Sequence, residues 1–412
     1  MNLRDKLERY ASKGALQSAF EQARNETVSV HGRSTLRPYS QQTEAYAERV
    51  RHIFPSHHTH GSVGVHSLGG WFEKAASVLR CDADSLDFQR IAFLDTETTG
   101  LSGGIGVCAF LVGVGHVTPD GFVVEQFLMH DFPAEREMLE RVCEMLEQFD
   151  VIASYNGRAF DIPILEGRLL LNGIRKKLND RPHLDLLHPA RRLWKHRVGD
   201  CSLKSLESHA LGYVRVGDID GWLIPDTYFR YVRSGDRTLL ESVLEHNRLD
   251  VLSLACLAHL VFAAVENPQE PPLTHGPDLF GLGTLFEQHR RMDDAARCFA
   301  RAMEVGLPQE LKVRCVRSLS LAHKRAGAWN DAVKLWEQAS KKGGADALFE
   351  LEELAKFYEH RKRDPFSARE VCRRAIAMLE IRDEISGTDS AGQLERLEHR
   401  LRRIERKIKR LS

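Results

Sequence analysis

The octapeptide Phe93-Leu94-Asp95-Thr96-Glu97-Thr98-Thr99-Gly100 sets two carboxylates at the end of an apolar run, two residues apart and just ahead of a Thr-Thr-Gly turn. On a strand, successive side chains alternate, so Asp95 and Glu97 point to one side and can share a cation. Acids are depleted in buried strands, and two on one face repel unless positive charge lies between them. A divalent ion with hard oxygen chemistry, magnesium or manganese, is the simplest such charge. The other reading is a strand running out to the surface, where both acids begin a solvated loop.

Two further stretches carry chemistry-bearing groups at the ends of predicted elements. Tyr155-Asn156-Gly157-Arg158-Ala159-Phe160-Asp161-Ile162-Pro163 follows a strand and precedes a helix, and offers Asp161 as a third carboxylate, with Asn156 able to position water, metal or substrate. Asp161 is equally suited to be a helix N-cap with Pro163 in the first turn, and both roles can hold together. Glu245-His246-Asn247-Arg248-Leu249-Asp250-Val251 lies on a predicted helix, where His246 and Asp250 sit one turn apart on a shared face. Beside a metal they would be base and ligand; alone, such a pair is an ordinary solvated one.

The elements that must position these groups alternate between strands and helices over 86–265. Strands are expected at 91–94, 107–116 and 121–129, joined by glycines at 100–106 and by Pro119-Asp120-Gly121, so the three are antiparallel neighbours. An amphipathic helix follows over 135–149, then a short strand at 151–154, a helix over 162–171, a strand at 184–187, a helical stretch over 189–213, and one long helix or two over 237–262. Residues 1–85 form a polar, helical extension, with helices expected over 3–10 and 41–53. Its His52, His57, His58, His60 and His66 read as a metal site or as a polar loop.

Past a Pro-rich linker at 266–276, residues 277–385 repeat. Ala295, Ala332 and Ala368 are 37 and 36 residues apart, and Ala302/Ala339/Ala375 and Phe299/Trp336/Cys372 keep that spacing, which fits tetratricopeptide-like helical pairs or a non-repeating bundle. Residues 386–412 form a basic helix with a heptad seam of Leu394, Leu397, Leu401, Ile404, Ile408 and Leu411, suited to a short coiled coil, a docked final helix or a nucleic-acid contact.

The 412 residues balance 58 Lys+Arg against 58 Asp+Glu, so a polyanion must be held by a local basic patch or by metal, not by a global field. The eight cysteines include no Cys-x-x-Cys pair and read as reduced, buried thiols. No leader and no apolar run of membrane-spanning length is evident, and a cytoplasmic protein is expected. The stretch with Arg168, Arg175, Lys176, Lys177, Arg181, Arg191, Arg192, Lys195 and Arg197 is basic enough to track phosphates, and Trp194 and Trp222 have the side chains to stack bases or fill the core.

In this order, Asp-x-Glu-Thr-Thr-Gly, Tyr-Asn-Gly-x-x-Phe-Asp and His-Asn-x-x-Asp resemble motifs I, II and III of the DEDD, or DnaQ-like, 3′–5′ exonuclease superfamily over residues 90–260. His183-Leu184-Asp185-Leu186-Leu187-His188, Ser202-Leu203-Lys204-Ser205-Leu206-Glu207 and Asp220-Gly221-Trp222-Leu223-Ile224-Pro225 resemble the YprB-like bacterial subgroup, which joins such a domain to tetratricopeptide repeats. The resemblance implies an α/β ribonuclease H-like fold followed by an all-α repeat domain. It implies that Asp95, Glu97, Asp161 and Asp250 bind two divalent metals, Mg2+ or Mn2+, with His246 as general base, and that single-stranded DNA or RNA is hydrolysed from its 3′ end. Thr98, Thr99, Gly100 and Leu101 would then lie beside the terminal nucleotide, with backbone N–H groups meeting sugar oxygens. Motif III departs from the two usual forms, having the spacing of Tyr-x-x-x-Asp and the histidine of His-x-x-x-x-Asp. The alternative is a catalytically weak or inactive nucleic-acid-binding scaffold whose repeats recruit a protein partner.

Overall fold

The computed structural model describes residues 47–100, 106–341, 347–387 and 389–411. The helix expected over 3–10 and Leu101, expected beside the terminal nucleotide, lie outside them. A six-stranded mixed sheet is the platform, built from β1 (Ala47–Pro55), β2 (Ile91–Thr98), β3 (Ala109–Thr118), β4 (Gly121–Met129), β5 (Val151–Ser154) and β6 (His183–Asp185) in the order β1-β4-β3-β2-β5-β6. The first four strands are antiparallel neighbours, whereas β5 runs parallel to β2 and β6 parallel to β5. The acid-bearing strand β2 is therefore the seam between the two kinds of pairing.

The helix expected over 41–53 is, from Ala47 on, the edge strand β1. Its burial alternates, and it pairs with β4 along its whole length. Apolar residues at 47, 50, 53 and 54 satisfy a helical spacing, but Val50, His52 and Phe54 also alternate with Arg49, Arg51 and Ile53. Cross-strand pairing decides between the two periods, with Arg49 and Arg51 reaching the buried Glu125 of β4 at 2.8 and 3.3 Å.

Both sheet faces are covered, which is why β2 to β5 read as near-continuous apolar runs. Ala92 and Leu94 enter the core shared with α1 (Glu135–Leu146), and Ile91 and Phe93 enter the opposite core with α5 (Glu241–Glu266). Alternation then carries Asp95 and Glu97 to the α5 side. Between these helices come α2 (Asp161–Leu171), α3 (Leu187–Val198) and α4 (Ile224–Ser234). Within the helical stretch expected over 189–213, α3 stops at Gly199, whose φ of +75° ends it, and a short helix follows at Leu203–Leu206. Against the expectation of no such run, the segment Arg237–Glu266 has the length and composition of a membrane span; 72 % of its apolar window is buried inside the protein, as in a core helix.

Among the described residues the α-helices that follow are α6 (Gly276–Gln288), α7 (Met292–Val305), α8 (Gln309–Arg325), α9 (Trp329–Lys341), α10 (Leu348–Phe357), α11 (Pro365–Ser386) and α12 (Ala391–Lys409), each packed on the next. The recurring Ala295, Ala332 and Ala368, and Phe299, Trp336 and Cys372, occupy corresponding buried positions on α7, α9 and α11; Ala339 is only half-buried. The final helix is docked, with Leu397 and Ile404 buried and Arg400, Arg403 and Lys407 closing on the buried carboxylate of Glu359 at 2.7–2.8 Å.

The Pro-rich stretch is packed, with Pro268, Pro271 and Leu273 buried. One apolar core runs on from Phe93 and Leu254 through Leu279 and Phe286 to Phe299 and Leu319. Where α6 crosses α3, a Cβ on Gly281 would lie 2.3 Å from the Arg192 carbonyl oxygen, so only glycine permits this approach. Arg197 locks the crossing by donating Nε–H to the buried carboxylate of Asp278 at 2.9 Å.

Candidate active site

Strand β2, helix α5 and the start of α2 bring Asp95, Glu97, Asp161, His246 and Asp250 into one neighbourhood. Burial comes first among the causes that push the Asp95 and Glu97 carboxyls well above the carboxylate range, and the charges of Asp250 and Asp161 add to it for both. Burial also pushes Asp161 up to about 6, although the Thr96 hydroxyl and backbone N–H groups work the other way. Mutual repulsion of desolvated acids is the physical signature of a place built for positive charge.

Two of the acids are oriented by their own donors. Thr96 Oγ1 donates to Asp161 Oδ1 at 2.5 Å, and Asn247 Nδ2 donates to Asp95 Oδ2 at 2.8 Å. Asn247 is itself fixed by the buried Gln126, whose Nε2 donates to its Oδ1 at 2.9 Å and to the Leu244 carbonyl at 2.8 Å. Asp161 is the first residue of α2, with Phe160 in the N-cap position, so the expected N-cap role is not the observed one.

The segment after residue 211 supplies two groups that sequence reasoning missed. Arg215, with its side chain 3 % exposed, bridges Asp250 and Glu207. Burial works against its charge, but these carboxylates hold the guanidinium proton more firmly than usual. Asp218 Oδ1 lies 2.7 Å from His246 Nδ1, leaving Nε2 turned towards Asp250 at 3.7 Å and Glu97 at 4.0 Å. Burial opposes the Asp218 charge, yet His246, Arg215 and Lys204 together hold its carboxyl below the usual range.

Other expected substrate contacts are placed differently. The Thr98 hydroxyl donates to the Gly100 carbonyl at 2.7 Å, and the Thr99 hydroxyl accepts from Cys108 N at 3.0 Å. The Thr99 amide donates to Cys108 O at 2.9 Å, so it is not available to a sugar oxygen. Asn156 is exposed at a left-handed φ of 66°, its amide donating to Asp185. Much of the basic stretch is engaged internally: Arg168 with Glu135, Lys176 with Glu147, Arg181 with the Leu146 and Phe149 carbonyls, and Arg197 with Asp278. Trp194 is core; Trp222 is exposed. His60 is buried against Ser253 at 2.6 Å, and burial, aided by the Arg215 charge, pushes its imidazole down to about 3. Among the described residues no three His, Cys, Asp or Glu side chains are arranged together to hold a metal ion, either in the histidine-dense segment or at the acids.

Sheet order, strand pairing and the acids at the end of β2 define an RNase H-like α/β domain. In agreement, residues 92–262 match the RNase_H_2 model of the RNase_H superfamily. The chain is 31 % identical over 362 residues to the uncharacterized protein YprB of Bacillus subtilis (strain 168), covering 86 % of this chain and 84 % of that one, and it belongs to the YprB family. A 132-residue stretch is 29 % identical to a DNA polymerase of Methanocaldococcus jannaschii, across 27 % of this chain and 8 % of the polymerase. The family B DNA polymerase structure from Pyrobaculum calidifontis aligns at a TM-score of 0.35 and 16 % identity, over 48 % of this chain and 29 % of that one.

Proposed function

We propose that the RNase H-like domain is a metal-dependent 3′–5′ exonuclease that hydrolyses phosphodiester bonds of single-stranded DNA or RNA. The observation that carries this reading is the crowding of Asp95, Glu97, Asp161 and Asp250, three of them with raised proton affinity, beside an imidazole held by Asp218 with Nε2 facing them. An all-carboxylate donor set suits two hard divalent cations, which Asp95, Glu97, Asp161 and Asp250 would hold. Bound there, such ions offset charge on the phosphate and acidify a water.

The chain's own residues do the rest. Asp218 fixes the His246 tautomer by accepting from Nδ1–H, which leaves Nε2 to take the proton of the attacking water. This orientation gives His246 a route to the base role despite its Tyr-like spacing from Asp250. Arg215 limits the net negative charge at Asp250, and Thr96 and Asn247 hold Asp161 and Asp95 in place while phosphate approaches.

With magnesium or manganese, the purified chain is expected to shorten 5′-labelled single strands from the 3′ end, and Asp95→Ala or Asp161→Ala to abolish this with the fold intact. Metal-loaded protein that cleaves neither DNA, RNA nor a dinucleotide refutes the activity. The second reading is a catalytically silent binder whose tetratricopeptide-like helices recruit a protein. It predicts strand binding without shortening.

A further inference from the structure

A cleft of about 330 Å³ opens where the sheet edge meets the first helices of the repeat domain. Its walls come from the turn after the short helix Glu73–Val78 (Arg80), the loop after β5 (Arg158), helix α3 (His188, Arg192) and the end of α6 (His289). Asp185 is the one carboxylate among the lining residues, against three arginines. That carboxylate is turned to the backbone, accepting from Asn156 N at 2.9 Å, Leu187 N at 3.0 Å and Arg158 N at 3.2 Å.

Arg80 and Arg158 are exposed, Arg158 donating Nη2–H to the His183 carbonyl at 2.7 Å, and Arg192 is half-buried. Arg168, Arg197 and Arg215 each meet a carboxylate, whereas among the described residues Arg80, Arg158 and Arg192 meet none within ion-pair distance. Nη1 of Arg192 is buried and has no hydrogen-bond partner. A buried guanidinium donor left unpaired is costly, and an external anion is the simplest group to satisfy it. Arg80 and Arg192 both lie close to His289: burial lowers its pKa, and their charges lower it further.

The cleft also adjoins the acidic site. Arg158 lies three residues ahead of Asp161, the first residue of α2, and a Cβ on Gly157, just before Arg158, would lie 3.0 Å from Asp161 Oδ2. The repelling acids and a guanidinium that meets no carboxylate, Arg158, thus sit within one short segment. We propose that this cleft binds backbone phosphates of the single strand whose 3′ end enters the acidic site, so that the repeat domain forms one wall of the substrate path. The inference rests on the nuclease reading above for the strand's polarity, while the phosphate chemistry stands on the cleft itself.

The test uses full-length protein carrying Asp161→Asn to prevent cleavage, and measures anisotropy of 5′-fluorescein-labelled 20-mers of DNA and RNA at several salt concentrations. Adding Arg192→Gln, which removes the unpartnered donor, is expected to weaken binding about fivefold and to reduce the slope of log K against log salt by about 0.7, the value for one lost single-strand phosphate contact. His289→Glu, on the repeat-domain wall, is expected to weaken it more than tenfold. Unchanged affinity and slope in both variants overturn the proposal. Displacement of the strand by millimolar inorganic phosphate at constant ionic strength overturns it in favour of a free-phosphate site. An otherwise unaltered chain that shows the full slope but never shortens the strand refutes the activity and leaves the cleft standing. Normal strand affinity in both variants, with active cleavage in chains retaining Asp161, does the reverse.

Discussion

Replacing Asp161 by Asn is expected to stabilise the metal-free protein while removing its activity. Burial raises this carboxyl from an ordinary 3.8 to about 6. The folded state therefore keeps its proton after the unfolded chain has released it, and stability falls as pH rises from about 4 to about 6, remaining low above that. Two pH units at about 1.4 kcal/mol each set an upper bound of about 3 kcal/mol. Asn carries no charge at any pH and keeps Oδ1 to accept the Thr96 hydroxyl. It should gain most of that bound at pH 8 and almost nothing at pH 4. Asp95 and Glu97, whose proton affinities Asp161 raises, add to the gain. Urea melts in chelator at both pH values measure the difference. Added manganese should then stabilise the Asp161 protein in proportion to RT ln(1 + [L]/Kd), and the Asn variant less. An Asn variant less stable than its parent at pH 8 in chelator would refute the argument from crowded, desolvated acids.

Three other substitutions probe separate parts of the structure. Asp218→Asn withdraws the acceptor that fixes His246 and should lower kcat about 10- to 100-fold with little change in KM, as seen when an orienting partner is lost; unchanged kcat in steady-state kinetics would show that the pair is idle. Gly281→Val forces a Cβ to 2.3 Å from the Arg192 carbonyl oxygen and should destabilise by at least about 1–3 kcal/mol, read as a single lowered thermal transition because the core is shared. Glu359→Ala leaves Arg400, Arg403 and Lys407 unpaired; since those cations are partly exposed, the loss should be about 1–3 kcal/mol, seen as faster hydrogen exchange in α12. Burial would raise the Glu359 pKa, but Arg403 and Lys407 outweigh it and hold the carboxyl at about 2, so this contribution is complete above about pH 4.5 and fades as pH falls towards 2.

The acids were legible because they obey local rules. Two-residue alternation put Asp95 and Glu97 on one side of β2, and four-residue spacing put His246 and Asp250 on one face of α5. Arg215 and Asp218 were not, because the segment that carries them has no periodicity and their partners lie about thirty residues away, on α5. One available signal went unread. Glu125 and Gln126 are adjacent polar residues in the otherwise apolar β4, and both are buried, which implies bonding partners on each face. Strand β1 was misread because its apolar residues fit two periods, and only its neighbour β4 decides between them. The basic stretch from 168 to 197 looked like one surface, yet four of its nine charges, Arg168, Lys176, Arg181 and Arg197, find internal partners that no linear pattern reveals.

The close approach at Gly281 bears on the energetics of association. A recognition surface assembled from two loosely tethered bodies must lose their relative freedom when a ligand touches both, and that lost entropy weakens binding. Here α6 rests directly on the α3 backbone, with Asp278 and Arg197 locked beneath it, so the walls carrying Arg192 and His289 are already in register. A strand that spans them meets a rigid receptor. Its arrival rate is then governed by diffusion and charge, with no domain closure to wait for.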